Sequence, residues 1–179
     1  ILPEQEKSNR QKELRIWSAG CSTGEEAYTA ILFMTEYFGT RRFEWDYSIL
    51  ATDISLKVLE AAPNPVYPGE ALKDVPPAWR RKYFTAAPDG CYTLNREVRE
   101  QVTFRRLNLM EPFVFKKPFD LIFCRNVMIY FDQPTKTRLA NKFYDVLKPG
   151  GYLFIGHSES LQRDASRFRY LQPSIYQKG

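Results

Sequence analysis

The stretch Ile16-Trp17-Ser18-Ala19-Gly20-Cys21-Ser22-Thr23-Gly24-Glu25-Glu26 decides the fold of this 179-residue chain. Its apolar start is typical of the end of a buried strand. Its two glycines, Gly20 and Gly24, permit backbone angles and close approaches that a side chain would block. Ser22 or Thr23 is predicted to cap a following helix, whose first turn carries both glutamates. The stretch therefore predicts a strand, a tight loop and the beginning of a helix.

A strand, a small-residue loop and a helix N-terminus together form the cofactor-binding turn of many α/β proteins. The spacing here is Gly-x-x-x-Gly, so the dinucleotide fingerprint Gly-x-Gly-x-x-Gly is absent. Glu25 and Glu26 at the rim would repel a pyrophosphate. They suit a cofactor with cationic and hydroxyl groups, such as S-adenosylmethionine with its sulfonium, ammonium and ribose. On this stretch alone, a plain structural turn is an equal alternative.

The composition is that of a globular domain, with 44% hydrophobic and 15% aromatic residues. No apolar run approaches the ~18 residues that a membrane span needs, and the N-terminus lacks a signal pattern. Cys21, Cys91 and Cys124 form neither a zinc pattern nor a disulfide framework, which favours a reducing cytoplasm and predicts no metal site. The net charge of +5 suits an acidic partner, either protein or nucleic acid.

Two later strands are predicted, and the first of them ends in a residue suited to a ribose. Residues 47–53 form a short apolar run ending in Asp53. An acid at the end of a second parallel strand commonly accepts hydrogen bonds from both ribose hydroxyls. Asp53 is also suited to cap a helix from Ser55 onward, and the two roles are compatible. Residues 102–107 alternate as a strand, and Asn108 follows it.

The clearest buried strand is Phe119–Cys124, and it is followed by Arg125, Asn126 and Tyr130. Open parallel sheets bind their ligands beyond the carboxyl ends of the strands. We therefore expect these three side chains to lie at the site.

Two amphipathic helices are predicted to cover the sheet. The first carries apolar residues at helical spacing and is followed by Gly39. The second is predicted to end at Lys148-Pro149-Gly150-Gly151, after which residues 152–156 form a strand. Residues 168–171 and 174–177 are predicted to form a closing antiparallel pair.

A small antiparallel insertion is predicted at about residues 70–103, where the β-α-β rhythm breaks. Residues 63–80 are rich in proline and glycine, and Asp89-Gly90 between β-prone segments is a hairpin signal. The basic residues in or beside it are Arg80, Arg81, Lys82, Arg96, Arg99, Arg105 and Arg106. A solvated face and a docking patch for an acidic partner explain them equally well.

The chain closely resembles the chemotaxis receptor glutamate methyltransferases of the CheR type. The resemblance runs from about residue 15 to residue 176 and rests on runs that occur in the family's order. These runs are W-S-A-G-C-S-T-G-E-E-A-Y (17–28), A-T-D-I-S (51–55), N-L (108–109), F-D-L-I-F-C-R-N-V-M-I-Y-F-D (119–132), L-K-P-G-G (147–151) and G-H-S-E (156–159). The runs R-N-V-M-I-Y-F and G-H-S-E are the most specific.

The resemblance implies an α/β, Rossmann-like class I methyltransferase fold. Its mostly parallel seven-stranded sheet would be flanked by helices and carry a small antiparallel β insertion. Residues 15–179 would form this domain, and residues 1–14 would be a linker from a helical N-terminal domain that precedes the chain. The activity would be methyl transfer from S-adenosyl-L-methionine to receptor glutamates, with S-adenosyl-L-homocysteine as the product. Some members bind a receptor tether through a longer glycine-rich turn; the turn here, residues 85–90, resembles members that do without it.

The resemblance also implies roles for individual residues. Cofactor contacts are expected from Gly20, Glu25, Asp53, Asn108, Leu109, Arg125 and Asn126, with Asp53 at the ribose. Tyr130 corresponds to the family tyrosine near the transferred methyl, and Arg125 and Tyr130 are the expected catalytic residues. Since a glutamate carboxylate is ionised at neutral pH, its attack on a sulfonium methyl needs alignment and dryness rather than a base. His157, the only histidine, is therefore predicted to be structural.

The expected partner is the acidic, helical cytoplasmic region of a chemoreceptor. We expect a cytoplasmic monomer with no nucleic-acid partner and no membrane insertion. Two alternatives stay open at this point. The positive charge and the arginines near the insertion would also suit an RNA methyltransferase, with strongly salt-dependent binding. The chain could also be a cofactor-binding adaptor domain without activity.

Overall fold

The computed structural model describes residues 1–162 and 166–179. Its strands are β1 (Glu13–Ala19), β2 (Asp46–Asp53), β3 (Val66–Pro68), β4 (Phe84–Ala86), β5 (Cys91–Leu94), β6 (Val102–Arg106), β7 (Phe119–Cys124), β8 (Leu147–Ile155), β9 (Arg169–Gln172) and β10 (Ile175–Gln177). Its α-helices are α1 (Leu2–Ser8), α2 (Glu25–Phe38), α3 (Leu56–Ala61), α4 (Pro77–Tyr83), α5 (Arg96–Arg99) and α6 (Gln133–Val146). No helix in these described ranges is long and apolar enough to span a membrane.

Seven strands form one sheet in the order β6-β2-β1-β7-β8-β10-β9. The strands from β6 to β8 pair in parallel, and β10 runs antiparallel to both of its neighbours. The predicted seven-stranded α/β architecture is confirmed, and so is the closing antiparallel pair. The carboxyl ends of β1, β2, β6 and β7 meet at one edge of this sheet, where ligands of open parallel sheets bind.

A separate three-stranded antiparallel sheet, in the order β3-β5-β4, forms the predicted insertion. The predicted hairpin at Asp89-Gly90 is confirmed, because β4 and β5 pair antiparallel across it. The third strand, Val66–Pro68, precedes the predicted start near residue 70. It lies in the stretch of residues 63–80 that is rich in proline and glycine, where no strand was predicted. It pairs with β5 through Val66, Tyr67 and Pro68, and a proline is tolerated on such an edge strand.

Residues 1–14, predicted as a linker, include a helix that is attached to the domain. Ile1 and Leu2 pack against the buried core. The Tyr37 hydroxyl donates to Glu6 at 2.9 Å, and the Tyr152 hydroxyl donates to Glu4. This lead-in is therefore anchored by apolar packing and by tyrosine hydroxyls.

The end of α6 differs from the prediction. The helix ends at Val146, and β8 begins at once, so Lys148-Pro149-Gly150-Gly151 lies within a strand. A register shift in the pairing of β7 with β8, between Phe119 and Leu121, accommodates these residues. Gly150, with a φ of 75°, takes the left-handed conformation that the irregularity requires.

Trp17 occupies the centre of the core on one face of the sheet. It is fully buried, and its ring centroid lies 4.9–5.5 Å from those of Phe113, Phe115, Phe119 and Phe143. Its indole Nε1 donates to the Thr52 hydroxyl at 2.9 Å, so the buried polar atom is satisfied. This cluster joins β1 to β2, to β7 and to α6.

Replacing Thr52 with valine should lower the free energy of unfolding by about 1–3 kcal/mol, because the buried indole N–H loses its acceptor. Denaturant unfolding of both proteins measures the difference. Thr103→Val is the control, since Thr103 is an exposed residue of β6 and surface changes usually stay within about 0.5 kcal/mol. Equal effects of the two changes would contradict this role for the bond.

Candidate functional site

Every predicted site residue lines one cleft of about 1090 Å³. The cleft opens beyond the carboxyl ends of β1, β2, β6 and β7 and extends along the face of α2. The residues brought together are Gly20, Glu25, Asp53, Asn108, Leu109, Arg125, Asn126 and Tyr130. Their sequence positions span more than a hundred residues, so the sheet topology is what unites them. The role of each one stays a prediction.

The loop after β1 passes directly against the loop after β7. Gly20 has a φ of 85°, and a Cβ at this position would lie 2.3 Å from Val127 Cγ2. Its backbone N–H and that of Cys21 both donate to the Thr52 carbonyl, at 2.8 and 2.9 Å. Only a glycine fits this position, as the sequence predicted.

The predicted cap of α2 is wrong. The N-cap residue is Gly24, with a φ of 92°, and no side chain caps the helix there. The backbone N–H of Ser22 donates to Asp53, and the Thr23 hydroxyl donates to the Glu25 carboxylate at 2.7 and 2.8 Å. The left-handed glycine turns the chain into the helix, so neither side chain is placed to bond its first N–H groups.

Asp53 joins the loops that follow β1 and β2. Its Oδ2 accepts from the Ser22 N–H at 2.9 Å, and its Oδ1 accepts from the Ser55 N–H at 3.0 Å. The predicted capping role of Asp53 is wrong, because the N-cap residue of α3 is Ser55 and no side chain caps that helix; Asp53 instead bonds the N–H of the N-cap residue itself. Each carboxylate oxygen can accept more than one hydrogen bond, so both oxygens keep capacity for ligand hydroxyls.

The sequence places Glu26 at the rim of the loop, but only Glu25 was expected to contact the cofactor. Glu26 lines the cleft, accepts from the Ser18 hydroxyl at 3.0 Å and pairs with Arg125 Nη1 at 3.3 Å. Burial raises the pKa of its carboxyl, and this effect outweighs the bonds from Ser18 and Arg125. The missed signal is the helical spacing, since Glu26, Ala30 and Phe33 all line the cleft from one stripe of α2.

The segment from Arg125 to Tyr130, called here the β7 loop, forms the opposite wall. Asn126 has a φ of 58°, which is uncommon for a residue with a side chain. Tyr130 ends a short 3-10 turn, and its side chain is 81% exposed. Its hydroxyl is thus open to a large substrate approaching from solvent.

Glu159 lies behind the β7 loop and was missed as an individual residue. It is buried, and its carboxylate accepts from the backbone N–H groups of Asn126, Ile129 and Gly156. Glu159 belongs to the G-H-S-E run, in which the sequence analysis considered a role only for the histidine. His157 is exposed and does not line the cleft.

The cysteines near the cleft are unsuited to nucleophilic chemistry. Burial and the neighbouring Asp53 raise the pKa of Cys21 to about 12, and burial also raises the pKa of Cys124. Both thiols are free and protonated at neutral pH. Within residues 1–162 and 166–179, no group of three or more histidine, cysteine or acidic residues is placed to hold a metal ion.

Comparison with known proteins gives a consistent result. The family model described as "CheR methyltransferase, SAM binding domain" matches residues 1–176. A chemotaxis protein methyltransferase of Borreliella burgdorferi is 44% identical over 178 residues, which cover 99% of this chain and 62% of the relative. One of Escherichia coli is 39% identical over 171 residues, covering 93% and 59%. The chain thus spans about three fifths of the length of these relatives.

Solved structures share the fold at low identity. The CMeT domain of the citrinin polyketide synthase gives a TM-score of 0.52 at 17% identity, covering 86% of this chain and 32% of that one. An S-adenosylmethionine-dependent methyltransferase of Methanosarcina mazei gives 0.50 at 17%, covering 87% and 57%. At this identity the likeness shows the fold alone.

Replacing Glu26 with glutamine should stabilise the protein at neutral pH. Because the pKa of Glu26 is raised in the folded state, stabilisation by its proton is complete below the unfolded pKa and is lost as the pH rises through the folded one. The gain from Glu26→Gln should therefore shrink as the pH falls through the raised pKa of Glu26 and should level off below about 4.5. Denaturant unfolding across this range measures it. Glu25→Gln removes the same charge at an exposed position, and an equal gain there would show that burial is not the cause.

Proposed function

The chain belongs to the CheR methyltransferase family, in its SAM-binding domain, and on this premise we propose a protein-glutamate O-methyltransferase that acts on chemoreceptors. The product would be S-adenosyl-L-homocysteine and a glutamate methyl ester. The observation that carries the proposal is that residues from separate family motifs line a single cleft. The chemotaxis methyltransferases among its relatives support the same reading.

The residues of the cleft fit S-adenosylmethionine. Asp53 has acceptor capacity left for the ribose hydroxyls after its two backbone bonds. Glu25 and Glu26 bring negative charge to a loop that would face the sulfonium and ammonium groups. Asn108 and Leu109 are assigned to the adenine, where Leu109 offers an apolar surface and Asn108 holds the turn by accepting from the Met110 N–H at 3.0 Å. Arg125 and Asn126 would close this pocket.

When bound, S-adenosylmethionine supplies a methyl group on a positively charged sulfur, which an ionised carboxylate can attack without proton transfer. The reference pKa of glutamate, about 4.3, means that the substrate is already ionised at neutral pH. The protein therefore has to align the carboxylate and remove its water. Tyr130 is assigned to the carboxylate, because it lines the cleft and is largely exposed to solvent. Arg125, paired with Glu26, supplies fixed positive charge there.

The proposed partner is the helical cytoplasmic region of a chemoreceptor, which places the reaction in the cytoplasm. Much of the predicted basic patch is engaged within the chain. Six of its residues, Arg80, Lys82, Arg96, Arg99, Arg105 and Arg106, bond to nearby carbonyls or acids. These bonds support the solvated face over a dedicated docking patch. The RNA methyltransferase alternative gains no observation from the structure, and the monomeric state stays a prediction.

Asp53→Asn should weaken S-adenosylmethionine binding by roughly 1.5–3 kcal/mol, the contribution typical of hydrogen bonds to a charged group. The change keeps the shape of the side chain and one acceptor oxygen. Calorimetry on the folded proteins measures the affinity. Asp46→Asn is the matched control, because Asp46 is an exposed acid at the opposite end of the same strand. Unchanged affinity for Asp53→Asn would leave Asp53 with only its loop-joining role.

Tyr130→Phe should preserve cofactor affinity and lower methyl transfer at least about tenfold, or ~1.4 kcal/mol in the barrier. The loss reflects the hydroxyl that would orient the carboxylate, while the ring stays in place. The assay is transfer of radiolabelled methyl to a receptor fragment by the full-length protein. Tyr144→Phe, on α6 outside the cleft, should transfer at the wild-type rate. If Tyr130→Phe transfers as fast as wild type, the hydroxyl has no part in the reaction.

A further inference from the structure

We infer that Glu159 is a positioning residue that holds the β7 loop in the conformation the reaction needs. It does not line the cleft, so it acts through the backbone of residues that do. The consequence for methyl transfer rests on the proposed function. The consequence for the loop itself does not.

The contacts of Glu159 are all aimed at the backbone of the site. Its Oε2 accepts from the Asn126 N–H at 3.1 Å and from the Gly156 N–H at 2.5 Å. Its Oε1 accepts from the Ile129 N–H at 3.0 Å. One carboxylate thus fixes two points of the β7 loop and ties them to the end of β8.

The carboxylate has no cationic partner among the described residues. Glu159 is only 6% exposed. No lysine, arginine or histidine in residues 1–162 and 166–179 forms an ion pair with it. A buried acid is costly unless its oxygens are hydrogen-bonded. Backbone N–H donors of the β7 loop satisfy the oxygens here. The buried carboxylate therefore depends on the loop for its hydrogen bonds, and the loop depends on the carboxylate for its position.

The loop conformation needs such support. Asn126 adopts a φ of 58°, and positive φ at residues with side chains costs energy that surrounding contacts must offset. Gly156 makes room for the arrangement, since a Cβ there would lie 2.7 Å from Glu159 Oε2 and 2.6 Å from Asn126 Oδ1. The Glu159 N–H closes the turn by donating to the Gly156 carbonyl at 3.0 Å.

Glu159 is connected through the loop to both halves of the site. Val127 lies between the anchored N–H groups of Asn126 and Ile129. It packs against Gly20 in the loop that follows β1, called here the β1 loop. Arg125 precedes the first anchor, and Tyr130 follows the second. Displacing the loop would move both proposed catalytic residues at once, and a misplacement of about 1 Å can lower a rate on the order of 100-fold.

Hydrogen exchange on this chain tests the positioning directly. In Glu159→Gln, an amide NH₂ replaces one acceptor oxygen and opposes the backbone donors. The amides of Asn126 and Ile129 should exchange at least about tenfold faster, while those of Ser22 and Ser55, held by Asp53, should keep their rates. If Glu159→Gln does not fold, Glu159→Asp keeps the charge but is too short to reach all its donors. Unchanged exchange at Asn126 and Ile129 would overturn the inference.

Steady-state kinetics of the full-length protein separate positioning from stability. Glu159→Gln should lower kcat at least about tenfold and leave the KM for a receptor fragment within about twofold. Asp120→Asn is the matched control. Asp120 is 3% exposed and accepts from the Arg15 N–H at 2.8 Å, at the opposite end of β7. Its loss should reduce stability without reducing kcat.

Equal losses of kcat in the two variants would show that Glu159 matters only for stability and would overturn the inference. Failure of the proposed function has a different signature. The wild-type protein would then transfer no methyl group, while the exchange comparison would still decide whether Glu159 holds the loop.

Discussion

The close approach of Gly20 to Val127 is the constraint on which the site depends. The β1 and β7 loops leave neighbouring parallel strands at the same edge of the sheet, so they must pass each other. A side chain at Gly20 would occupy the space of Val127. Because the glycine is there, the β1 loop can bond the Thr52 carbonyl while the β7 loop closes over it. The two loops can approach this closely because the Val127 side chain packs against the Gly20 backbone.

Two carboxylates then fix the loops that meet at this contact. Asp53 accepts backbone N–H bonds from the β1 loop and from the turn before α3, and Glu159 accepts three from the β7 loop and the end of β8. Among residues 1–162 and 166–179, no lysine or arginine forms an ion pair with either acid, so backbone donors hold both carboxylates. Within the cleft, Glu26 and Arg125 form an ion pair at 3.3 Å, and Glu25 and Asp53 add further negative charge. Hydrogen bonds within the protein therefore hold the loops that line the site.

Sequence alone could predict the frame and the residues at its edge. Buried strands such as Phe119–Cys124 are read from local pattern, and parallel topology places their carboxyl ends together. The features that sequence did not predict depend on backbone angles or on contacts between distant parts of the chain. The cap of α2 depended on a backbone angle at Gly24, and the strand through Pro149 depended on pairing with β7. Glu159 bonds to atoms about thirty residues away, and no periodicity reports such a contact.

The Gly20 and Gly156 contacts restrict how this protein can diverge. An alanine at Gly20 requires a smaller residue at Val127, and one at Gly156 requires both Asn126 and Glu159 to move. Each of these substitutions made alone produces a steric clash, so these positions can change only together. The runs around residues 20, 126 and 156 should therefore evolve together, although they are far apart in the sequence. An alignment of homologues should show them varying together, while exposed residues that make no such contact are free to vary independently.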